Sequence, residues 1–496
     1  MGPSPQGHGP TRCSGSDRQG YVTNATGRRQ PMNPMAYNRY FLVGIGGIGM
    51  SAVARFLLGS GKEVAGYDRT ETDLTRALSR EGAVILYHLD PAACPSPFDE
   101  HPEHCLVIYT PAIPLDQAWM NFFRNGNYTM IKRSRMLGLL TLRRPTIAVA
   151  GTHGKTTTSS LVAHLLHCGG VDVTAFLGGL GVNASSNFML GGPDSLMVVE
   201  ADEYDRSFHE LQPQWAVVTS TDPDHLDVYG DADSVLKSYR QFAQSASKAL
   251  VTRHGLDLKA MEGVTHLRYG EPSGIWADNI AVAEGYLWFD YCGKVVIKDI
   301  PSILPGAHNI ENALAAITIA LECGVNPESI APAMADFRGI KRRFEYVARG
   351  RRRWLIDDYA HHPREIEALI RGIRLMHPQS RVLGIFQPHL FSRTRDFVAE
   401  FASSLSALDQ CILLPIYPAR ELPIAGVSSD LIASNMTCPV TCIGHDELQD
   451  GTWLETVWAS EADIMVTVGA GDLDQYLPLL SERVMAESNV KESDER

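Results

Sequence analysis

The chain has 496 residues, 44% of them hydrophobic and 20% charged, enough for about three domains that each bury a core without disulfides. Its formal net charge of −13 excludes a protein whose main task is gripping nucleic acid, which needs a basic surface. No run of about 18 apolar residues occurs, which excludes a helical membrane span.

Nine cysteines without a CxxC pair imply neither a disulfide framework nor a zinc ribbon, and a reducing, cytoplasmic setting is expected. The N-terminus lacks the apolar segment of a signal peptide. Residues 1–38 are rich in Gly, Pro, Ser, Asn, Gln and Arg and have no apolar periodicity. They read as a disordered extension, with Met32 and Met35 as alternative starts.

From residue 39 onward, strand and helix patterns alternate. Apolar runs at Tyr40–Val43, Glu63–Tyr67, Val84–Tyr87 and Cys105–Tyr109 mark a first domain, 39–143. Thr146–Ala150, Leu196–Val199 and Ala216–Ser220 mark a second, 144–336. Trp354–Ile356, Val382–Phe386, Cys411–Pro415 and Ile464–Val468 mark a third, 337–482, followed by a polar tail, 483–496. Such alternation predicts an α/β protein with mostly parallel sheets. In these sheets ligands gather beyond the carboxyl ends of strands.

The first strand runs into Gly44-Ile-Gly46-Gly47-Ile48-Gly49 and then a helix, and Asp68 ends the next strand. GxGxxG in this setting admits an NAD-linked dehydrogenase. Its physical content is narrower: a diphosphate on a helix N-terminus, which a UDP-sugar also satisfies.

The second domain opens with Gly151-Thr152-His153-Gly154-Lys155-Thr156-Thr157 between a strand and a helix. Glycines let N–H groups turn around phosphate oxygens, and the helix start adds positive charge. Lys155 would reach the terminal phosphates, and the Thr156 hydroxyl would ligate Mg²⁺, with Mn²⁺ as substitute. The spacing is tighter than GxxxxGK[ST], since Gly151 precedes Gly154 by only three positions. Leu161, Leu165 and Cys168 predict the core-facing stripe of the helix. Glu200 ends a neighbouring strand and is a metal candidate, while Glu203 reads as a solvated loop acid. His225, between Asp224 and Asp227, is either a second metal ligand or a structural histidine. Two nucleotide-phosphate loops in one chain argue for two substrates rather than one cofactor.

Asn309 and Asn312 lie on one face at the start of a helix whose buried stripe is Ile310, Leu314, Ile317 and Leu321. They either cap that helix or meet a base edge. Arg342 and Arg343 make a basic turn that is either a solvated loop or an anion contact. Asp357–Pro363 and Gln387–Asp396 each follow a strand, and their Asp, His and Arg side chains suit nucleotide, metal and carboxylate.

Taken together, GIGGIGMSAVA, GTHGKTTT, VVEADEYDRSF, DPDHLD, LPGAHNIENALAA, GIKRRFE, DDYAHHP, FQPHLFSRTRDF and VTVGAGD resemble the Mur ligase family over about residues 39–480. The resemblance implies a Rossmann-like UDP-binding domain, a P-loop ATPase-type central domain and a Rossmann-like C-terminal domain that receives an amino acid. It implies a cytoplasmic monomer or weak homodimer that joins L-alanine to the lactyl carboxylate of UDP-N-acetylmuramate, with ATP as co-substrate and an acyl phosphate as intermediate. Carried over by motif, Gly46, Gly47, Ile48, Gly49 and Asp68 hold the UDP-sugar. Gly151, Thr152, His153, Gly154, Lys155, Thr156 and Thr157 cradle ATP, with Asn309, Asn312, Arg343 and Asp357 around the nucleotide. Thr156, Glu200 and His225 hold metal. Tyr359, His361, His389 and Arg393 orient alanine, and Lys155, His225, His361 and Arg393 form the catalytic set. Leu390 stands where many members carry a basic residue, and no equivalent of the carbamoylated lysine of other branches is found. The rivals are a ligase that recycles a whole tripeptide, a non-catalytic nucleotide sensor and a nucleotide-sugar dehydrogenase.

Overall fold

The computed structural model describes residues 21–23, 29–224, 226–283, 285–419 and 421–489. They form two compact units that divide between Arg143 and Arg144.

The first unit is built on a parallel sheet of β1 (Arg39–Val43), β2 (Glu63–Tyr67), β3 (Val84–Leu86), β4 (Cys105–Tyr109) and β5 (Thr129–Lys132). The strand order is β3-β2-β1-β4-β5. Tyr40, Phe41, Leu42 and Val43 are all fully buried, because a parallel sheet is covered on both faces and its strands are apolar throughout. The unit's helices are α1 (Ile48–Gly59), α2 (Asp73–Arg80), α3 (Ala118–Asn125) and α4 (Arg133–Thr141). Trp119 of α3 stacks on Phe41 with ring centroids 5.0 Å apart.

The segment read as a disordered extension is structured in part. Tyr21–Thr23 pairs antiparallel with Arg29–Pro31, and Met32 and Pro34 are buried. The Tyr40 hydroxyl donates to the Pro34 carbonyl at 2.7 Å, and the Lys62 ammonium donates to the Tyr37 carbonyl at 2.9 Å. Composition misses this because Tyr40 and Lys62, which hold Pro34 and Tyr37, lie beyond the segment.

The second unit carries three sheets. Its largest contains β6 (Thr146–Ala150), β7 (Val173–Gly181), β8 (Ser186–Met189), β9 (Leu196–Glu200), β10 (Trp215–Val218), β11 (Ala249–Arg253) and β12 (Thr265–Tyr269). They run in the order β8-β7-β9-β6-β10-β11-β12, parallel except for β8. Helix α5 (Lys155–Cys168) follows β6. Its buried residues include Leu161, Leu165 and Leu166, but Cys168 is exposed. The expected stripe stops at Leu165, and Cys168 is exposed although Leu165 and Leu166 of the same last turn are buried.

A three-stranded antiparallel sheet follows, β13 (Trp276–Ala283), β14 (Tyr286–Cys292) and β15 (Val296–Ser302). After it come α6 (Ala307–Glu322) and α7 (Ile330–Asp336). The last sheet is β16 (Glu345–Arg349), β17 (Trp354–Asp358), β18 (Val382–Phe386), β19 (Gln410–Leu413), β20 (Val440–Cys442) and β21 (Ile464–Val468). Its order is β16-β17-β21-β18-β19-β20, and only β16 is antiparallel. Helix α8 (Pro363–Met376) follows β17, and a short helix, α9 (Phe391–Asp396), follows β18.

The polar tail is also shorter than its composition suggests, since α10 spans Leu477–Asn489. Leu480 and Val484, one turn apart, are buried in the same cluster as Leu355, and Glu487 lies 3.6 Å from Arg353. One continuous apolar core runs from Ile147 through Leu314 to Ile356 and Val466.

Candidate active site

In the first unit, the turn after β1 delivers Gly46 and Gly47 to the start of α1, where Gly47 is the cap and makes no side-chain cap bond. Ile48 is 39% exposed there. Asp68 accepts from the Gly46 amide at 2.8 Å and the Thr70 amide at 3.3 Å. Its carboxylate therefore braces the glycine loop to which the motif assigns it. A Cβ at Gly49 would collide with the Arg133 guanidinium. Arg133, a cation against the glycine loop, was not singled out by the motif, because α4 begins more than 80 residues downstream of that loop.

In the second unit, β6 runs into a loop that ends at Gly154, whose φ of +81° is the left-handed conformation glycine permits. A Cβ at Gly154 would strike Asn312 Oδ1. The start of α5 has no side-chain cap, so its first N–H groups remain for a ligand. Thr152 donates to the Asp222 carbonyl at 2.7 Å, and the His153 amide donates to Ser220 Oγ at 2.8 Å. Thr157 is half-buried on the same turn.

Lys155 Nζ donates to the Gly151 carbonyl and to Glu203 Oε1, both at 2.7 Å. Glu203 is only 3% exposed, so the expectation of a solvated loop acid is corrected. It is the counter-charge of the loop lysine. The chain doubles back after Glu203 through left-handed Asp205 and Arg206, a path that no periodic pattern encodes. Thr156 Oγ1 donates to Glu200 Oε1 at 3.1 Å, and the Gly178 amide donates to Oε2 at 2.9 Å. Burial raises both carboxyls above their usual pKa, and the Lys155 charge opposes the rise. His225 lies outside the described residues, and Asp224 beside it is exposed.

Helix α6 is capped by Gly306, not by an asparagine, which removes the capping reading of Asn309 and Asn312. Asn309 donates to the Pro305 carbonyl at 2.8 Å, and Asn312 donates to Asn309 Oδ1 at 3.2 Å. Thr158 Oγ1 in turn donates to Asn312 Oδ1 at 3.2 Å. The pair thus ties α6 to the phosphate loop, with Asn312 buried beneath it.

The basic turn leans on the same sheet, since the Lys341 amide donates to the Leu180 carbonyl at 2.9 Å. Arg343 is exposed and lies 6.0 Å from the Tyr359 ring. Arg342, weighed in the sequence only as part of this turn, is the organising residue. It donates to the Gly469 carbonyl at 2.6 Å and lies 3.4 Å from Asp474 and 3.5 Å from Asp357.

Asp357 is 1% exposed and accepts from Thr467 Oγ1 at 2.6 Å. The expectation that it faces a nucleotide is corrected: its carboxyl points into the fold under Arg342. Burial raises its pKa to about 7, with Thr467 and Arg342 opposing. The folded state therefore holds this proton more tightly than the unfolded chain does. The stability this contributes is full below the ordinary carboxylate pKa and is lost as pH rises through about 7. Asp357→Asn, which cannot ionise, is expected to gain on the wild type by about 1–3 °C in Tm between about pH 5 and pH 8, read by calorimetry at both ends. A variant that instead loses Tm relative to the wild type as pH rises would reverse the assignment.

Tyr359, His361, His389 and Arg393 come together from the ends of β17 and β18. The rings of Tyr359 and His361 are 5.4 Å apart, and those of His361 and His389 are 6.1 Å apart. Arg393 Nη1 is 3.5 Å from His389 Nδ1. Tyr417, not picked out in the sequence, stacks on His389 at 5.7 Å. Burial, then the Arg393 charge, holds the His389 imidazole below its usual pKa, so it is neutral at neutral pH. Leu390 takes φ 72° and donates its amide to the Tyr417 carbonyl, so this position contributes through its backbone.

Three family models match the chain: "Mur ligase family, catalytic domain" over residues 39–144, "Mur ligase middle domain" over 149–320 and "Mur ligase, glutamate ligase domain" over 342–471. A UDP-N-acetylmuramate–L-alanine ligase of Christiangramia forsetii is 42% identical over 452 residues, 90% of this chain and 98% of that one. One of Parabacteroides distasonis is 44% identical over 450 residues, 89% of this chain and 96% of the other. Among solved structures, the UDP-N-acetylmuramate–alanine ligase of Thermotoga maritima aligns with a TM-score of 0.75 at 26% identity, covering 90% of this chain and 98% of that one. A murein peptide ligase of Psychrobacter arcticus shares the fold, with a TM-score of 0.60 at 21% identity and coverage of 90% and 98%.

Proposed function

The chain belongs to the Mur ligase family, and from that premise we propose that it joins L-alanine to the lactyl carboxylate of UDP-N-acetylmuramate at the expense of ATP. The product is a peptidoglycan precursor. One observation carries the reading at the level of residues. A single compact unit holds both a phosphate loop with an enclosed lysine and carboxylate pair and, at two strand ends, a cluster of aromatic and cationic side chains, Tyr359, His361, His389 and Arg393, with the groups to meet an amino acid.

A carboxylate is a poor acyl donor until one oxygen becomes a phosphate leaving group. The substrate carboxylate attacks the γ-phosphate of ATP, ADP leaves, and the acyl phosphate is then attacked by the alanine amine with loss of phosphate. Two anions must meet in the first step, so fixed positive charge decides the rate. Lys155 supplies it by exchanging Glu203 for phosphate oxygens, while the loop amides and the start of α5 cradle the rest. Thr156 and Glu200 are hard oxygen donors 3.1 Å apart and fit a magnesium ion, to which His225 is added by motif. When bound, that ion shields the charge of the phosphates. Arg393 pairs with the alanine carboxylate, neutral His389 accepts from its amine, and His361 and Tyr359 wall the side chain. Arg343 approaches the nucleotide phosphates. In the first domain, the loop Gly46–Gly49 holds the UDP diphosphate beside Arg133. We place the domains at 39–143, 144–336 and 337–482, in a cytoplasmic monomer or weak homodimer. Among the described residues no helix is long and apolar enough to cross a membrane.

The test is phosphate release by purified protein with Mg-ATP and UDP-N-acetylmuramate, with L-alanine or a tripeptide added. Release that needs both the sugar nucleotide and L-alanine is expected. Release with the tripeptide alone would assign the recycling reaction, and none at all would favour a sensor. In the same assay Arg393→Ala, which removes a charged hydrogen-bond partner, should raise KM for L-alanine at least about tenfold and leave KM for ATP nearly unchanged. An equal rise in both would deny Arg393 its specific role.

A further inference from the structure

At the other end of the phosphate-loop helix lies a cluster that the reaction does not use. His164 and Cys168 are one turn apart on α5, and Asp336 closes α7 beside them. Cys168 Sγ is 3.6 Å from His164 Nε2, which is 3.9 Å from Asp336 Oδ2, and the three donor atoms lie within 4.8 Å of one another. Cys168 and Asp336 are exposed and His164 is half-buried, so an ion reaches the cluster from solvent. We propose that His164, Cys168 and Asp336 form a zinc-class transition-metal site, separate from the ATP site.

The donor set selects the metal. Thiolate, imidazole and carboxylate suit zinc, whereas magnesium takes oxygen donors. Bonds of about 2.3 Å to sulfur and about 2.1 Å to nitrogen place the two atoms about 3.6 Å apart across a tetrahedral angle, which matches the observed separation. A carboxylate oxygen needs to approach the imidazole by about 0.5 Å more, a small rotation for an exposed side chain. Water completes the fourth position. Nε2 now contacts the Ala333 carbonyl at 2.8 Å. Binding moves the imidazole proton to Nδ1, replaces this contact with a metal bond, and releases the thiol proton to solvent.

The site sits about 15–20 Å from the phosphate loop, at the rise of an α-helix. Asp336 also accepts from Asn183 through its carbonyl at 2.8 Å, and its chain continues into the turn that carries Arg342 and Arg343. A bound ion therefore clamps the end of α5 to the segment that leads to this turn.

The test uses the full chain with Co²⁺ as a spectroscopic stand-in for zinc. The wild type should show a thiolate-to-cobalt charge-transfer band that oxygen and nitrogen donors at the ATP site do not give. The band should vanish in Cys168→Ser. Zinc affinity at this site, read by chelator competition, should fall at least about tenfold in His164→Gln and in the surface variant Asp336→Asn. Zinc should raise the Tm of the wild type but not that of Cys168→Ser. Absence of the band in the wild type, its survival in Cys168→Ser, or unchanged zinc affinity in Asp336→Asn would overturn the site.

Discussion

Lys155→Ala is expected to lower kcat by about a thousandfold or more, because it removes the charge that meets the γ-phosphate as two anions approach. The substitution also removes the Lys155 ammonium that Glu203 accepts from. Burial already raises the Glu203 carboxyl, and without Lys155 it takes up a proton instead of remaining as a buried charge. The fold should therefore survive, and the double variant Lys155→Ala with Glu203→Gln separates the two effects. It should melt close to the wild type and stay as inactive as the single variant. Turnover above a tenth of wild type in either variant would remove Lys155 from the chemistry.

Glu200→Gln should split activity from stability. Its amide can keep the three printed contacts, accepting from the Gly178 amide and Ser159 Oγ and donating to Thr156 Oγ1, where the carboxylate now accepts from each. The charge that fits a magnesium ion is gone, and kcat should fall by about a hundredfold or more. Stability should move the other way. The folded carboxyl has a raised pKa, so its contribution is full below the ordinary glutamate value and is lost as pH rises through the folded value. At neutral pH the glutamine variant should melt no lower than the wild type in metal-free buffer. A clear loss of Tm would mean that ionised Glu200 supports the free fold, contrary to the effect of its burial.

Much of this architecture is legible locally. β1, β6, β18 and β21 are continuous apolar runs because both of their faces are covered, and each lies where such a run occurs. The phosphate loop is legible because backbone turning and anion binding demand glycine, lysine and threonine in a fixed local order. His361, His389 and Arg393 are legible as neighbours because strand ends of one parallel sheet converge.

Other assignments depend on packing. Asp357 and Asp358 are consecutive, so their side chains take opposite faces of the strand, and the pair of letters does not say which face is open. The fold turns Asp357 under Arg342 and Thr467, while Asp358 accepts from the Phe344 and Ala360 amides. Glu203 and Arg342 gain their roles from partners 48 and 127 residues away. Cys168 follows the helical period, yet it is exposed while Leu165 and Leu166 of the same turn are buried.

The sequence by itself determined the α/β class, the family and the residues that can bear the chemistry, because these rest on local runs and short motifs whose physics closes within a few residues. The tertiary structure alone decided which carboxylates are buried, which cation each one meets and where an extension or tail becomes ordered. Those outcomes depend on desolvation and on contacts between distant segments, and neither quantity exists until the chain has packed.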